Sequence, residues 1–118
     1  MAAPNLKSPT TITGKVTPYA VTTSLASALA NGSSSGQCLR INSIRLANTS
    51  GAAVTVNVSH YRGSTHTYLV KTASLAANTA LVVSQRDEFI YLEEGDSLYA
   101  SASAATSVDM LITYDVWS

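Results

Sequence analysis

The sequence predicts an all-β, single-domain antiparallel β-sandwich or jelly roll of about eight strands with an extended N-terminal arm. Three observations lead to this prediction. The chain has 118 residues, of which 46% are hydrophobic, which is enough for one domain with its own core. Val54, Val56 and Val58 alternate with polar residues, the period of a half-buried strand. Turn residues recur at the intervals that sandwiches and jelly rolls show.

The N-terminal segment differs in composition from the rest of the chain. Residues 1–9 contain Pro4 and Pro9 and few apolar side chains. Proline lacks the amide proton that a strand ladder needs, and the residue before it avoids helix. We therefore predict an extended arm at residues 1–9, able to lie along a neighbouring subunit, followed by a β-sandwich domain at residues 10–118.

The next two elements are short strands. Residues 10–17 are rich in Thr, Ile and Val and predict a strand that Gly14 interrupts. The odd positions from Tyr19 to Leu29 have the period of a strand, although a helical stripe that stops at Asn31-Gly32 fits the same segment. Thr22 and Thr23, together with the neighbouring strands, favour the strand interpretation.

The strand predicted from Cys38 to Ala47 changes phase along its length. Leu39 and Ile41 fall on one face, whereas Ile44 falls on the other. Either a β-bulge near Asn42-Ser43 or burial of both faces accounts for this change.

The remaining elements follow from alternation and turn residues. Loops and turns are predicted at residues 31–36, 48–52, 62–64, 77–79 and 93–96, and strands at residues 54–59, 65–72, 80–83, 89–92, 97–103 and 108–116.

The order of the charges along the chain is unusual. All seven basic residues lie at or before Arg86, and all seven acidic residues lie at or after Asp87, so the two parts carry +7 and −7. One interpretation is that C-terminal strands pair with N-terminal strands inside the monomer, so that opposite charges meet across strands. The other is a molecule with a positive and a negative face, which associates head to tail and closes into a ring where the rotation allows.

Composition excludes several classes of protein. Zero net charge argues against nucleic-acid binding, which requires a surplus of Lys and Arg. No apolar run reaches the length of a membrane span, so we expect no membrane partner. The single cysteine, Cys38, allows no internal disulfide and is expected to be a small buried residue. Only 12% of residues are charged, and Ala, Ser and Thr supply 48 of 118 positions, as in proteins whose surfaces lie against other proteins.

The residue types that carry catalysis are sparse. His60 and His66 flank the predicted hairpin but are too few ligands for a metal. Adjacent carboxylates at Asp87-Glu88 and Glu93-Glu94 point to opposite faces of a strand, whereas a glycosidase pair must face one bond. We expect no enzyme, no catalytic residues, no metal and no cofactor.

Three segments carry a resemblance to a known class of protein. They are residues 3–15 with Ala-Pro-Asn-Leu and Pro-Thr-Thr-Ile-Thr-Gly-Lys, residues 39–48 with Leu-Arg-Ile-Asn-Ser-Ile-Arg-Leu-Ala-Asn, and residues 90–103 with Ile-Tyr-Leu-Glu-Glu-Gly-Asp-Ser-Leu and Ala-Ser-Ala-Ser. In these strand-and-turn patterns the chain resembles small virion structural proteins of tailed bacteriophages, including cyanophage-type ones.

The resemblance implies a non-enzymatic structural subunit of a phage particle, made in the bacterial host cytoplasm. Decoration or cementing of the capsid is the first role it suggests, and a neck or tail ring component is the alternative. Its partners would be further copies of itself and other virion proteins. The residues that we expect at such interfaces are Leu6, Lys7, Arg40, Arg45, Arg62, Glu93, Glu94, Asp96 and Trp117.

An alternative of another class is a carbohydrate-binding or host-attachment module of similar fold. Sugar sites present aromatic rings beside hydrogen-bonding groups. The rings available for such a site are those of Tyr61, Tyr68, Tyr99 and Trp117.

Overall fold

The computed structural model describes residues 11–84, 87, 89–105 and 107–118. Nine strands form its framework: β1 Ile12–Ala20, β2 Ala26–Ala30, β3 Cys38–Asn48, β4 Val54–Arg62, β5 Thr65–Leu75, β6 Ala80–Ser84, β7 Ile90–Leu92, β8 Ser97–Ala102 and β9 Val108–Trp117. The predicted arm at residues 1–9 lies outside the described residues.

The strands form two antiparallel sheets. The five-stranded sheet has the order β1-β9-β3-β6, with β7 also paired to β3, and the four-stranded sheet has the order β2-β8-β4-β5. The pairs β1–β9, β2–β8, β3–β6 and β4–β5 are those of one long hairpin rolled up on itself, with its tip between β4 and β5. The predicted all-β sandwich is confirmed, and its topology is that of a jelly roll.

The core lies between the two sheets. The predicted alternation in β4 is confirmed, because Val54, Val56 and Val58 are all buried. They pack in one apolar cluster with the inward residues of the facing sheet, among them Ile41, Ile44, Leu46, Met110 and Ile112. Removal of these side chains from water is the main force that holds the two sheets together.

The phase change in β3 is a β-bulge. The register between β3 and β9 shifts between Ile41 and Ser43, so Asn42 is the extra residue. Beyond the bulge, Ile44 faces the core as Leu39 does before it. The bulge also keeps Arg40 and Arg45 on the opposite face of the sheet.

Strand β1 runs further than predicted, through both Gly14 and Pro18. Thr11 and Ser118 exchange two backbone hydrogen bonds of 2.9 Å. Along an antiparallel ladder, such hydrogen-bonded pairs alternate with pairs that exchange no bond. By that alternation, position 18 faces the free edge, where a missing N–H costs no bond to β9. The edge location therefore explains how a proline lies inside this strand.

The segment from Tyr19 to Leu29 contains no helix, as the strand interpretation required, but it is not one strand. Residues 21–25 cross from one sheet to the other, and Val21 is buried at the crossing. Its N–H donates to the carbonyl of Val108 at 3.0 Å. The crossing is what separates β1 from β2.

Two predicted turns contain residues with positive φ. Gly63 and Ser64 both have positive φ, 56° and 67°, as in the type I′ turn of a tight hairpin. Gly95 has a φ of 87° in the turn that precedes β8. This second turn brings Glu93 and Asp96 to the end of the sandwich.

Candidate functional site

The predicted interface residues separate into two groups. Leu6 and Lys7 lie outside the described residues. Arg62, Glu93, Glu94 and Asp96 lie at one end of the sandwich, at the tip of the β4–β5 hairpin and in the turn before β8. Arg40, Arg45 and Trp117 lie instead on the face of the five-stranded sheet that points away from the core.

Arg62, Glu93 and Asp96 form an ion cluster within the monomer. The Arg62 Nε donates to Asp96 Oδ1 at 2.7 Å, and its Nη2 donates to Asp96 Oδ2 at 2.6 Å and to Glu93 Oε2 at 2.6 Å. The Glu93 N–H donates to Asp96 Oδ2 at 2.9 Å, and His60 Nε2 lies 3.1 Å from the same oxygen. Asp96 is 1% exposed, so its carboxylate serves this cluster rather than the surface.

The cluster changes the proton affinities of its members. Burial raises the pKa of Asp96, but the hydrogen bonds from Arg62, Glu93 and His60 outweigh it, so the pKa lies below its ordinary value. The hydrogen bonds to Asp96 and Glu93 raise the pKa of Arg62 above its already high value. Both groups are therefore held in their charged forms.

Glu94 also has a partner within the monomer. Its Oε2 accepts a hydrogen bond of 3.1 Å from the N–H of Gly36. The neighbouring Asn31 is buried and donates from Nδ2 to the carbonyls of Gln37 and Leu92, both at 2.9 Å. These contacts tie the loop at residues 31–36 to the turn before β8. At this end of the molecule, a basic residue from the first part of the sequence therefore pairs with acidic residues from the last part, within one chain.

The second group lies on a surface that we call the outer face. It comprises the residues of the five-stranded sheet that point away from the core: Ile12, Gly14, Val16, Pro18 and Ala20 of β1, Asp109, Leu111, Thr113, Asp115 and Trp117 of β9, Cys38, Arg40, Ser43, Arg45 and Ala47 of β3, and Ala80, Val82, Phe89 and Tyr91 beside β3. This surface was not predicted from the sequence.

Exposed apolar side chains are concentrated on the outer face. Of the six large hydrophobic residues that are exposed in the described part of the chain, five lie there, and their exposed fractions are between 40% and 55%. They are Ile12, Val16, Val82, Phe89 and Leu111. Scattered exposed apolar residues are ordinary, but a concentration on one sheet face is typical of an interaction surface.

Two rows of opposite charge run along the centre of the outer face. Arg40 and Arg45 lie on β3, and Asp109 and Asp115 lie on the adjacent β9. Arg40 is the register partner of Asp115. Even so, among the described residues no ion pair within 4.0 Å joins any of the four.

Arg40 and Asp115 have other contacts in the monomer. The Arg40 guanidinium lies 4.1 Å from the centre of the Phe89 ring, a cation–π contact, and Asp115 Oδ2 accepts from Asn42 at 3.2 Å. Arg40 Nε and Trp117 Nε1 are buried without a hydrogen-bond partner in the described structure. Both unpaired donors belong to residues of the outer face.

Cys38 is buried at the start of β3, as expected, where it is the register partner of Trp117. Burial raises the pKa of its thiol, and the charges of Glu93 and Asp96 raise it further. The thiol is therefore protonated and inert at neutral pH.

The four-stranded sheet carries an aromatic cluster on its outward side. The Tyr61 ring lies 4.5 Å from that of His66 and 4.8 Å from that of Tyr99, and His66 lies 6.3 Å from Tyr68, all between ring centres. His66 Nδ1 is 2.9 Å from Ser59 Oγ. Three of the four rings considered for a sugar site therefore come together, while the fourth lies on the opposite sheet.

The two histidines do not converge. His60 contacts Asp96, whereas His66 lies among the tyrosines. In the ranges that the structure describes, no group of three or more His, Cys, Asp or Glu side chains is arranged to hold a metal ion. The same ranges contain no helix long and apolar enough to cross a membrane.

Comparisons with known proteins identify a shared fold. No family model and no curated protein matches the chain. Among solved structures, it is similar to a protein of Bacillus endospore appendages, described as a novel family of disulfide-linked pili. The TM-score is 0.55 at 15% sequence identity, over 92% of this chain and 87% of that one. At this identity, the likeness shows the fold alone.

Proposed function

We propose that this chain is a non-enzymatic structural subunit of a tailed-phage particle, which assembles through its outer face. The observation that carries the proposal is the concentration of exposed apolar side chains on one face of the five-stranded sheet. An apolar surface of this kind is stabilised when another protein covers it. Decoration or cementing of the capsid is the role that we put first, and a neck or tail ring component is the alternative.

Two further observations support a role in assembly. The segments at residues 3–15, 39–48 and 90–103 resemble small virion structural proteins. The pilus protein with a similar fold comes from an appendage, so a jelly roll of this size is compatible with repeated assembly. Those pili are described as disulfide-linked, whereas Cys38, the one cysteine of this chain, is buried. We therefore expect its contacts to be non-covalent.

The proposed interface uses a different set of residues from the one expected from the sequence. Arg40, Arg45 and Trp117 are retained, and Asp109 and Asp115 replace the acidic residues of the ion cluster. Arg62, Glu93 and Asp96 already satisfy one another, and Glu94 has a partner in the monomer. Their role is to hold the end of the sandwich together.

The test is quantitative mass spectrometry of particles purified from the producing culture. We expect the chain to band with intact particles and to resist removal by washing. A copy number close to that of the major capsid protein indicates decoration, whereas a small fixed number indicates a ring. Complete absence from purified particles would overturn the virion proposal.

One observation favours a second candidate function, the binding of carbohydrate. Tyr61, Tyr68 and Tyr99 lie together beside His66, so aromatic surface and polar groups are neighbours, as in sugar sites. A glycan array probed with the protein tests this function. We expect signals that Tyr68→Ala abolishes and that Tyr91→Ala, on the opposite sheet, leaves unchanged. An array without signals at high protein concentration excludes this function.

A further inference from the structure

We infer that the outer face binds a second copy of itself, face to face, about a two-fold axis that runs between β3 and β9 parallel to the strands. The inference rests on the proposed function, because it specifies a partner for the surface through which we propose that the chain assembles. The partner follows from the way that charged and apolar residues are distributed over the sheet.

The two charged rows select the direction of the axis. An axis parallel to the strands places β9 of one copy over β3 of the other, and residues that are in register within a copy then face each other between copies. Arg40 thus meets Asp115 of the second copy, because the two are register partners. Asp109 meets Ala47 of the second copy, two residues along β3 from Arg45.

A two-fold axis across the strands gives the opposite result. It places β3 over β3 and β9 over β9, so Arg40 and Arg45 face the same basic row, and Asp109 and Asp115 face the same acidic row. Rows of like charge pressed together destabilise an interface. Charge complementarity therefore favours the parallel axis, and it favours a second copy as the occupant, because the face is its own complement.

The apolar residues agree with the same arrangement. The parallel axis places the edge strand β1 over the opposite side of the sheet, where β6 lies. Pro18, Leu111, Arg45 and Val82 share one level across the sheet, so Pro18 of one copy faces Val82 of the other. Exposed apolar side chains are thereby covered on both flanks, and an isologous contact repeats each contact twice.

Trp117 lies at one end of the outer face, as the last residue of β9. It shares a level with Ile12 and Cys38, and its indole Nε1 is buried without a partner in the described monomer. Under the parallel axis, the ring faces the start of β3 in the second copy. The ring therefore closes one end of the proposed interface, where it covers Cys38 of the second copy.

The experiment is a charge reversal with rescue between two chains, read by sedimentation and by light scattering at low and high salt. We expect the wild-type chain to dimerise. In a dimer of Arg40→Glu chains, two negative charges face each other at positions 40 and 115. In a dimer of Asp115→Arg chains, two positive charges face each other at the same positions. Each variant alone should therefore lose at least about tenfold in dimer affinity. Mixed together, the two variants restore both contacts, and a heterodimer should form with near wild-type affinity.

Controls separate this result from unfolding or from a general effect of charge. Lys71→Glu makes the same change in net charge on the four-stranded sheet and should leave the dimer intact. Circular dichroism should show that every variant is folded. If a substitution had damaged the fold of its own chain, mixing with the other variant would not repair it. Rescue on mixing therefore shows that the lost affinity came from the contact between the two chains.

The outcomes distinguish the inference from the proposed function. A chain that is monomeric at every concentration, or a mixture that forms no heterodimer, overturns the two-fold contact even if the chain is abundant in particles. In that case another virion protein covers the face. Dimerisation with rescue, combined with absence from particles, supports the contact and rejects the virion role.

Discussion

Arg62 and Asp96 form a two-point contact across the end of the sandwich, with Nε 2.7 Å from Oδ1 and Nη2 2.6 Å from Oδ2. The Arg62 side chain is 56% exposed, whereas that of Asp96 is 1% exposed. The paired geometry matches the fork of the guanidinium to the carboxylate, and it joins the tip of one hairpin to the turn before β8. The contact therefore determines how this end of the fold responds to mutation and pH.

The first prediction concerns the loss of the buried carboxylate. Asp96→Ala removes the acceptor for Arg62, for the N–H of Glu93 and for His60, so three donors lose this partner at once. We expect the free energy of unfolding to fall by about 2–3 kcal/mol, with the urea m-value unchanged. Glu93→Gln is the matched control, because Glu93 is 64% exposed and surface pairs contribute little. Equal losses in the two variants would contradict this account.

The second prediction concerns acid. The pKa of Asp96 in the folded chain is below its ordinary value, which is about 3.9 in an unfolded chain. Asp96 therefore contributes stability that is fully present above about pH 4 and is lost as the pH falls through the folded pKa. Urea unfolding of wild type and Asp96→Asn between pH 7 and about pH 2 measures this contribution. The difference between the two should shrink below about pH 4, and a difference that stays constant would show that Asp96 is not the linked group.

The third prediction concerns a buried amide at the end of β3. Asn48 Nδ2 donates to the carbonyls of Ala52, Leu75 and Ala76 at 2.8–3.2 Å, and Oδ1 accepts from the N–H and hydroxyl of Ser50. Asn48→Ala leaves several of these groups without partners, so we expect a loss of about 2–3 kcal/mol in the free energy of unfolding.

Asn42→Ala is the control for that measurement. Asn42 is half-buried at the bulge, and within the described part of the chain its side chain donates one hydrogen bond, to Asp115. We expect its removal to cost less than half as much. A loss at Asn48 no larger than at Asn42 would show that the Asn48 amide does not hold the turn at residues 48–52 to the chain at residues 75–76.

Local patterns in the sequence predict those parts of the fold that depend on local contacts. The change of phase between Leu39 and Ile44 limited β3 to a bulge near Asn42-Ser43 or to burial of both faces, and the register with β9 shows the bulge. Pro18 is different. Whether a proline fits inside a strand depends on which edge its missing N–H faces, and that is known only once β9 has paired with β1. Local patterns therefore placed the end of this strand too early.

The charged residues show the same difference between what local sequence predicts and what long-range pairing decides. The separation of charge is plain in the sequence, but the partners are set by long-range register, since Arg62 meets Asp96 and Arg40 is aligned with Asp115 only in the folded sheets. One local signal for the outer face was available. Leu111 lies out of phase in β9, at a position where the alternation calls for a polar residue. An apolar residue on the polar side of a clean strand indicates a surface to be covered.

The last prediction concerns the buried thiol of Cys38. Burial raises its pKa, and the charges of Glu93 and Asp96 raise it further, so the thiolate forms at a higher pH in the folded chain than in the unfolded one. The rate of reaction with a disulfide reagent, followed against pH with and without denaturant, should be far lower in the folded chain and should rise with a higher midpoint. Cys38→Ser is the blank. A folded midpoint at or below the unfolded one would contradict the burial of the thiol. In the proposed dimer, Cys38 lies beneath Trp117 of the second copy, so the rate should also fall as the protein concentration rises.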